Sequence, residues 1–370
     1  MRVHKIAVIP GDGVGKEVAE EGVKALKAVS QAIGDLQFEF TEFPWGCDYY
    51  LENNEMMPAD GLDQLKKFDA IYLGAIGDPR VPDHISLRDL LLKIRFGFDQ
   101  YVNLRPVKLL EGVNTPIKGK TAEDIDFVVI RENTEGFYIG SGGIYKKGSP
   151  EHAKYAELSP VFADSEEIAE QIGLFSTNGI KRIARYSFQL AQKRKGKLAC
   201  CTKSNALNYS MVLWDRIFKE MSEEYPGVEV SFFLVDALCM HMVQNPQWFD
   251  VIAAPNLFGD IITDLGAALQ GGLGVACSGN INPESISMFE PVHGSAPDIA
   301  GKNIAGPIAA IWTARMMLDE LGEKKAADMV MRAIEKVLKE GKVRTKDLGG
   351  TSKTFEVGDA IVEKIKVFVK

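Results

Sequence analysis

The chain has 370 residues, enough for two domains and for a core that needs no disulfide staples. Its 43 basic and 51 acidic residues leave a formal charge of −8, which argues against a nucleic-acid binder held mainly by phosphate contacts. With 46% hydrophobic and 25% charged residues it has the make-up of a folded soluble protein, and its one excess is glycine, 35 residues against a usual ~7%. Hydrophobic periodicity predicts strands at Ile6–Ile9, Gln37–Phe43, Asp69–Gly74, Tyr101–Leu104 (closed by Pro106) and Phe127–Ile130. Further strands are expected at Lys197–Thr202, Val228–Val235 and Val251–Ala254. Between and after them, helices are expected at Val14–Ile33, Ser86–Phe98, Ala206–Tyr225, Ile261–Leu269, Ile308–Leu321, Lys324–Lys339 and Val357–Val369. Such alternation predicts an α/β fold with a sheet that is at least partly parallel. Ile139–Ser176, rich in Gly, Ser, Lys and Glu, reads as a flexible loop or an arm that packs on a partner.

Five irregularly spaced cysteines, two of them adjacent, suit neither a disulfide framework nor a zinc site, so buried free thiols in a reducing compartment are expected. Met1–Pro10 lacks the features of a signal peptide, and no apolar run nears the ~20 residues that cross a bilayer. A cytoplasmic location with no membrane or nucleic-acid partner is the expectation.

Gly11-Asp-Gly-Val-Gly-Lys16 lies between a strand and a helix, where phosphate-binding loops occur. It matches neither the dinucleotide fingerprint, which needs glycine at Lys16, nor a Walker loop, which needs Ser or Thr at Glu17. A tight turn needing glycine geometry is the competing reading. Asp260 and Asp264 are four apart after a strand, so on a helix they share one face. They suit Mg²⁺ or Mn²⁺, or are two solvated aspartates. Arg95 and Arg105 punctuate apolar surroundings, and Arg131 ends a strand. Such arginines need anionic partners, either the chain's own acids or a bound carboxylate.

Seven segments then recur in the order of one family: Ile9-Pro-Gly-Asp-Gly-Val-Gly15, Gly74-Ala-Ile-Gly77, Asn103-Leu-Arg-Pro106, Arg131-Glu-Asn-Thr-Glu-Gly136, Thr202-Lys-Ser-Asn205, Asn256-Leu-Phe-Gly-Asp260 and Glu290-Pro-Val-His-Gly-Ser-Ala-Pro-Asp298. Together they resemble the β-decarboxylating dehydrogenases, the isocitrate and isopropylmalate type. Pro44–Tyr50, Pro82–Ser86 and Phe98–Asn103 look most like the tartrate/D-malate branch. The resemblance implies an isopropylmalate-dehydrogenase-like two-domain α/β fold with a mixed sheet and no Rossmann fingerprint. One domain would comprise 1–100 with 266–370, and the other 101–265.

It also implies NAD-dependent oxidation, with decarboxylation, of a small 2-hydroxy dicarboxylic acid, D-malate or tartrate. Mn²⁺ or Mg²⁺ and K⁺ are the implied ions. Arg95, Arg105 and Arg131 would hold the carboxylates, with Arg88 and Leu91 at the variable end of the substrate. Asp260 and Asp264, with Asp236 from a neighbouring subunit, would bind the metal. Lys203, also from across a homodimer with shared active sites, would accept the hydroxyl proton, and Tyr138 would protonate the enolate. His293, Gly294, Ser295, Ala296, Asp298 and Asn303 would bind adenosine, and a carboxylate at 298 would favour NAD over NADP. The sequence departs from the family at Arg88, where the tartrate/D-malate branch usually has tryptophan, and at Gly306, where asparagine is usual. Isopropylmalate, isocitrate and homoisocitrate remain as other substrates. A metal-dependent lyase without nicotinamide and a nucleotide-triphosphate binder are the readings from other classes.

Overall fold

The structure, a computed structural model, describes residues 1–368. Twelve strands are present among them: β1 Arg2–Gly11, β2 Leu36–Glu42, β3 Ala70–Ala75, β4 Val102–Lys108, β5 Asp126–Glu132 and β6 Gly142–Lys146. β7 Glu167–Gln171, β8 Lys197–Thr202, β9 Glu229–Leu234, β10 Val251–Ala254, β11 Cys277–Ile281 and β12 Ser287–Pro291 complete the set. Ten of them make one mixed sheet in the order β2-β1-β3-β12-β11-β4-β5-β10-β8-β9. The outer wings are parallel (β2, β1, β3, β12 and β5, β10, β8, β9), whereas β12–β11, β11–β4 and β4–β5 are antiparallel. One wing comes from both ends of the chain and the other from its middle, and they meet where β11 pairs β4.

Ile6–Ile9 is a continuous apolar run because β1 has partners on both edges and helices over its faces, so no side chain there faces water. The helix Gly15–Ile33 follows, buries Val18, Ala25, Leu26 and Val29, and ends at Gly34 in the left-handed conformation. The predicted helix at Ser86 begins earlier, at Asp83, and is a π-helix over Leu87–Leu92 before returning to α-form through Gly97. β4 does not stop at Pro106. β11 pairs only with Val102–Leu104, so the missing N–H of Pro106 falls where β4 has no second neighbour.

Ile139–Ser176 has structure of its own: β6 and β7 pair antiparallel around the short helices Pro150–Ala156 and Pro160–Asp164. Each helix opens with a Ser-Pro pair whose serine accepts a backbone N–H, a start signal visible in the sequence. The helix Thr177–Lys193 and the strands β11 and β12 have no counterpart among the predicted elements. The predicted last helix spans Thr354–Val367, and residue 369 of that prediction lies outside the described residues. No helix is long and apolar enough to cross a membrane among the described residues. All five cysteines are free, four of them buried, and burial with the neighbouring Asp12 carboxylate pushes the Cys47 thiol up to about 12.

The glycine turn at 11–15 owes its composition to backbone contact. Gly13 has φ +53°, and a Cβ there would sit 2.0 Å from the Ser295 carbonyl oxygen, while Val14 N–H donates to that same oxygen at 2.8 Å. Gly13→Ala should therefore cost ~1–3 kcal/mol, against ~1 kcal/mol for Gly349→Ala, whose left-handed glycine faces open space. Urea unfolding of both variants measures the difference, and equal midpoints would contradict the contact.

Candidate active site

A cleft of about 350 Å³ lies over the junction of the two wings. From one wing come Gly74–Gly77 after β3, the helical segment Ser86–Arg95, and Glu290–Gly294 at the end of β12. From the other come Arg105 on β4, Arg131 on β5, Tyr138 and Asp260.

Arg95, Arg105 and Arg131 are only 5%, 7% and 3% exposed, so three cations gathered from distant sequence share one desolvated space. Arg95 donates to Glu290 Oε1 at 2.7 Å. Arg131 donates to Asn256 Oδ1 at 2.9 Å and to Asp260 Oδ1 at 2.5 Å. Arg105 donates to Thr263 Oγ1 and lies 3.7 Å from Asp260 and 4.0 Å from Asp264. Burial, together with Arg105, presses Arg131 below its usual range. The Nε atoms of Arg95 and Arg105 are buried with no hydrogen-bond partner. Unsatisfied buried donors of this kind cost free energy unless an acceptor arrives.

The helix Asn256–Leu269 starts directly after β10 and carries Asp260 and Asp264 one turn apart on the same face. Burial works against the Asp260 charge, but Arg131 and the Tyr138 hydroxyl, which donates to Oδ2 at 2.7 Å, hold it below the ordinary carboxylate range. Burial and Asp260 push the Tyr138 hydroxyl upward, so it keeps its proton at neutral pH. Asp264 is more exposed and does not line the cleft.

Lys203 and Asp236 pair with each other at 2.5 Å, and neither lines the cleft. Among the described residues no three carboxylate, histidine or cysteine groups of one chain gather closely enough to hold an ion. Asp260 and Asp264 offer hard oxygens that suit Mg²⁺ or Mn²⁺, but a complete carboxylate set needs a ligand from elsewhere. Arg88 is exposed and also outside the cleft lining; its guanidinium rests on Gly140, where any Cβ would collide with it. Leu91 lines the wall with Leu87 and Leu92.

A second, largely apolar cavity of about 440 Å³ adjoins the cleft through His293. Val14, Ala296, Ile299, Ile304 and Ala305 line it. Burial lowers the His293 imidazole, and its Nε2 has no partner. Ala296 and Asn303 both hold positive φ, Ser295 docks on the glycine turn, and the Asn303 N–H donates to Glu17. Gly306 is explained by Asp347, whose carboxylate occupies the space a side chain at 306 would fill.

Sequence reasoning quoted Glu290 and Asn256 within motifs without giving them roles, and it passed over Ser278 and Asn280. Asn256 opens the aspartate helix directly after a strand, which was a usable signal. The strand Cys277-Ser-Gly-Asn-Ile281 carries no such signal, since its polar residues only make sense once the pairing is known.

A buried arginine triad beside a helix bearing two aspartates, next to an apolar cavity on a mixed sheet, defines a dehydrogenase-like site for an anionic substrate. The isocitrate/isopropylmalate dehydrogenase family pattern matches residues 5–361, and the chain belongs to that family. It is similar to a probable tartrate dehydrogenase/decarboxylase of Agrobacterium vitis, 49% identical over 99% of this chain and 98% of that protein. The D-malate dehydrogenase [decarboxylating] of Escherichia coli (strain K12) is 48% identical over 99% of both chains. Among solved structures, isocitrate dehydrogenase from Methylococcus capsulatus matches with a TM-score of 0.84 and 35% identity, covering 98% of this chain and 99% of that one. The protein is thus an enzyme of hydroxy-acid oxidative decarboxylation, acting on a CH–OH group.

Because the Asp260 pKa is depressed in the native state, its stabilisation is present above the unfolded value of ~3.9 and is lost as pH falls through the lowered one. Asp260→Asn should lower the melting temperature at pH 7 and converge with the parent chain near pH 3. Its side chain is 40% exposed, so the effect should stay near ~1 kcal/mol or less. A gap that is constant with pH would contradict the charge assignment.

Proposed function

We propose that the chain oxidises and decarboxylates D-malate or tartrate with NAD and Mn²⁺ or Mg²⁺, as a homodimer whose subunits share active sites. The observation that carries this reading is the desolvated triad of Arg95, Arg105 and Arg131 with two unfilled Nε donors. A small dicarboxylate supplies the acceptors they lack, and the planar guanidinium fork fits a carboxylate. Arg88 rests on Gly140 rather than lining the cleft, so the third carboxylate of isocitrate or homoisocitrate has no fourth arginine there. The apolar wall of Leu87, Leu91 and Leu92 keeps 3-isopropylmalate as the second reading.

Asp260 and Asp264 of one protomer with Asp236 of the other would hold the divalent ion, and the cavity at His293, Ala296 and Ile299 would take adenosine. Gly294, Ser295 and Asn303 shape that cavity's rim, and Asp298 and Asp347 bring negative charge that disfavours a 2′-phosphate. When bound, NAD receives the hydride, and the divalent ion draws charge from the substrate hydroxyl and carboxylate. The arginines fix the acid so that the carbinol hydrogen and the departing carboxylate are correctly aimed. Lys203 of the second protomer takes the hydroxyl proton as hydride leaves carbon 2, giving the 2-keto acid. Loss of CO₂ from carbon 3 leaves an enolate, and the Tyr138 hydroxyl returns a proton to that carbon. The absence of Lys203 and Asp236 from the cleft of a single chain supports a site completed by a second copy. The same wing arrangement supports domains of 1–100 with 266–370 and of 101–265.

NADH formation should appear with D-malate or tartrate and Mn²⁺ or Mg²⁺, exceed that with isocitrate, homoisocitrate or 3-isopropylmalate, and vanish with a chelator. Lys203→Met should lower turnover by ~10²–10⁴-fold without changing the fold. Turnover that needs no dinucleotide would favour a lyase instead, and unchanged rates in Lys203→Met would remove that residue from the mechanism.

A further inference from the structure

Beneath the arginine triad runs a buried polar row that the chemistry above does not use. β4, β5 and β11 set Asn280, Asn103 and Arg131 side by side across three strands. Asn280 and Asn103 are fully buried, and Asn133, just past β5, is 1% exposed. Asn103 Nδ2 donates to Asn280 Oδ1 at 2.9 Å, and Asn133 Nδ2 donates to the same oxygen at 3.1 Å. With its oxygen fixed by two donors, the Asn280 amide can only present its NH₂ to the other side. There Nδ2 donates to Glu290 Oε1 at 2.8 Å, the same oxygen that receives Arg95 Nη2 at 2.7 Å.

We propose that Asn280 is a positioning residue for substrate binding: locked by Asn103 and Asn133, it fixes Glu290, and Glu290 fixes Arg95 with its Nε free for the substrate carboxylate. The row thereby ties the wing built from the middle of the chain to the carboxylate clamp on the other wing. The charged groups facing Glu290 are Arg95 and, farther off, Arg105; Asn103, Asn133 and Ser278 are the polar neighbours of this part of the row.

Asn280→Asp keeps the shape but turns the donor into an acceptor, so two carboxylates face each other across Arg95. They then titrate as a pair, and one shared proton replaces the lost amide donor. In this variant KM for the hydroxy acid should rise at least ~10-fold at pH 8.5, with kcat within ~3-fold, and return toward the parent value as pH falls to 6. Asn280→Ser, whose hydroxyl is too short to span the gap, should raise KM by an amount that does not change with pH. A KM within 2-fold of the parent in both variants overturns the proposal, as does a fall in kcat alone. The kinetics rest on the proposed dicarboxylate reaction. If the parent chain turns over none of the acids, that reading fails by itself. A crystal structure of Asn280→Asp at pH 8.5 then decides the positioning role: an Arg95–Glu290 contact displaced from its place in the parent supports it, and an unchanged contact overturns it.

Discussion

Three guanidinium groups buried against one another are the constraint around which this molecule is arranged. Each loses hydration on folding, and each repels its neighbours in a medium that screens poorly. Compensation comes in three forms. Asp260 and Glu290 supply charge, Asn256 and Thr263 supply neutral acceptors, and two Nε donors stay unmatched. The first two make the apo chain stable enough to fold. The third leaves a residue of unfavourable energy that a dicarboxylate relieves, so affinity is stored in the empty site.

The mixed sheet is what makes that gathering possible. Two parallel wings would each carry a site at its own strand ends, but the antiparallel strands β11, β4 and β5 splice the wings into one sheet. Arg105 and Arg131 approach from one wing, and Arg95 and Glu290 from the other. A cleft built in this way changes shape whenever the wings twist relative to each other. The hydrogen-bonded asparagine row lies at the splice and limits that freedom where the clamp is anchored.

Much of this was legible in the sequence. The apolar runs of β1, β3 and β10 announced buried strands, and the spacing of Asp260 and Asp264 placed both on one helical face, as found. The seam was not legible. β11 and β12 are five residues each, and Ser278, Asn280 and Glu290 interrupt any apolar pattern because those strands serve a polar interior. Pro106 misled in the opposite direction, since a proline within a strand is tolerated where one edge has no partner, and only the register reveals that edge. The helix Thr177–Lys193 went unassigned beside a segment expected to be irregular, although Ser176 caps it. The cleft lining shows a further limit. Arg88 shares a helical segment with Leu91 and Arg95, yet its side chain leaves the cleft for Gly140.

That segment carries the π-helical turn Leu87–Leu92, and a π-turn is one residue wider than its α-helical neighbours. Leu87, Leu91 and Arg95 thus descend one wall in steps of four, with the two leucines toward the mouth and the arginine at the buried foot. Divided this way, the wall separates what binds every acid of the class from what distinguishes one acid from another. Exchanges at Leu87 or Leu91 can retune the choice of side group while the arginine beneath stays in register. A single added or deleted residue in the turn would instead rotate the whole wall by about 100° and abolish both functions together. The fold is therefore permissive to substitution here and intolerant of changes in length, a combination that favours divergence in specificity within one chemistry.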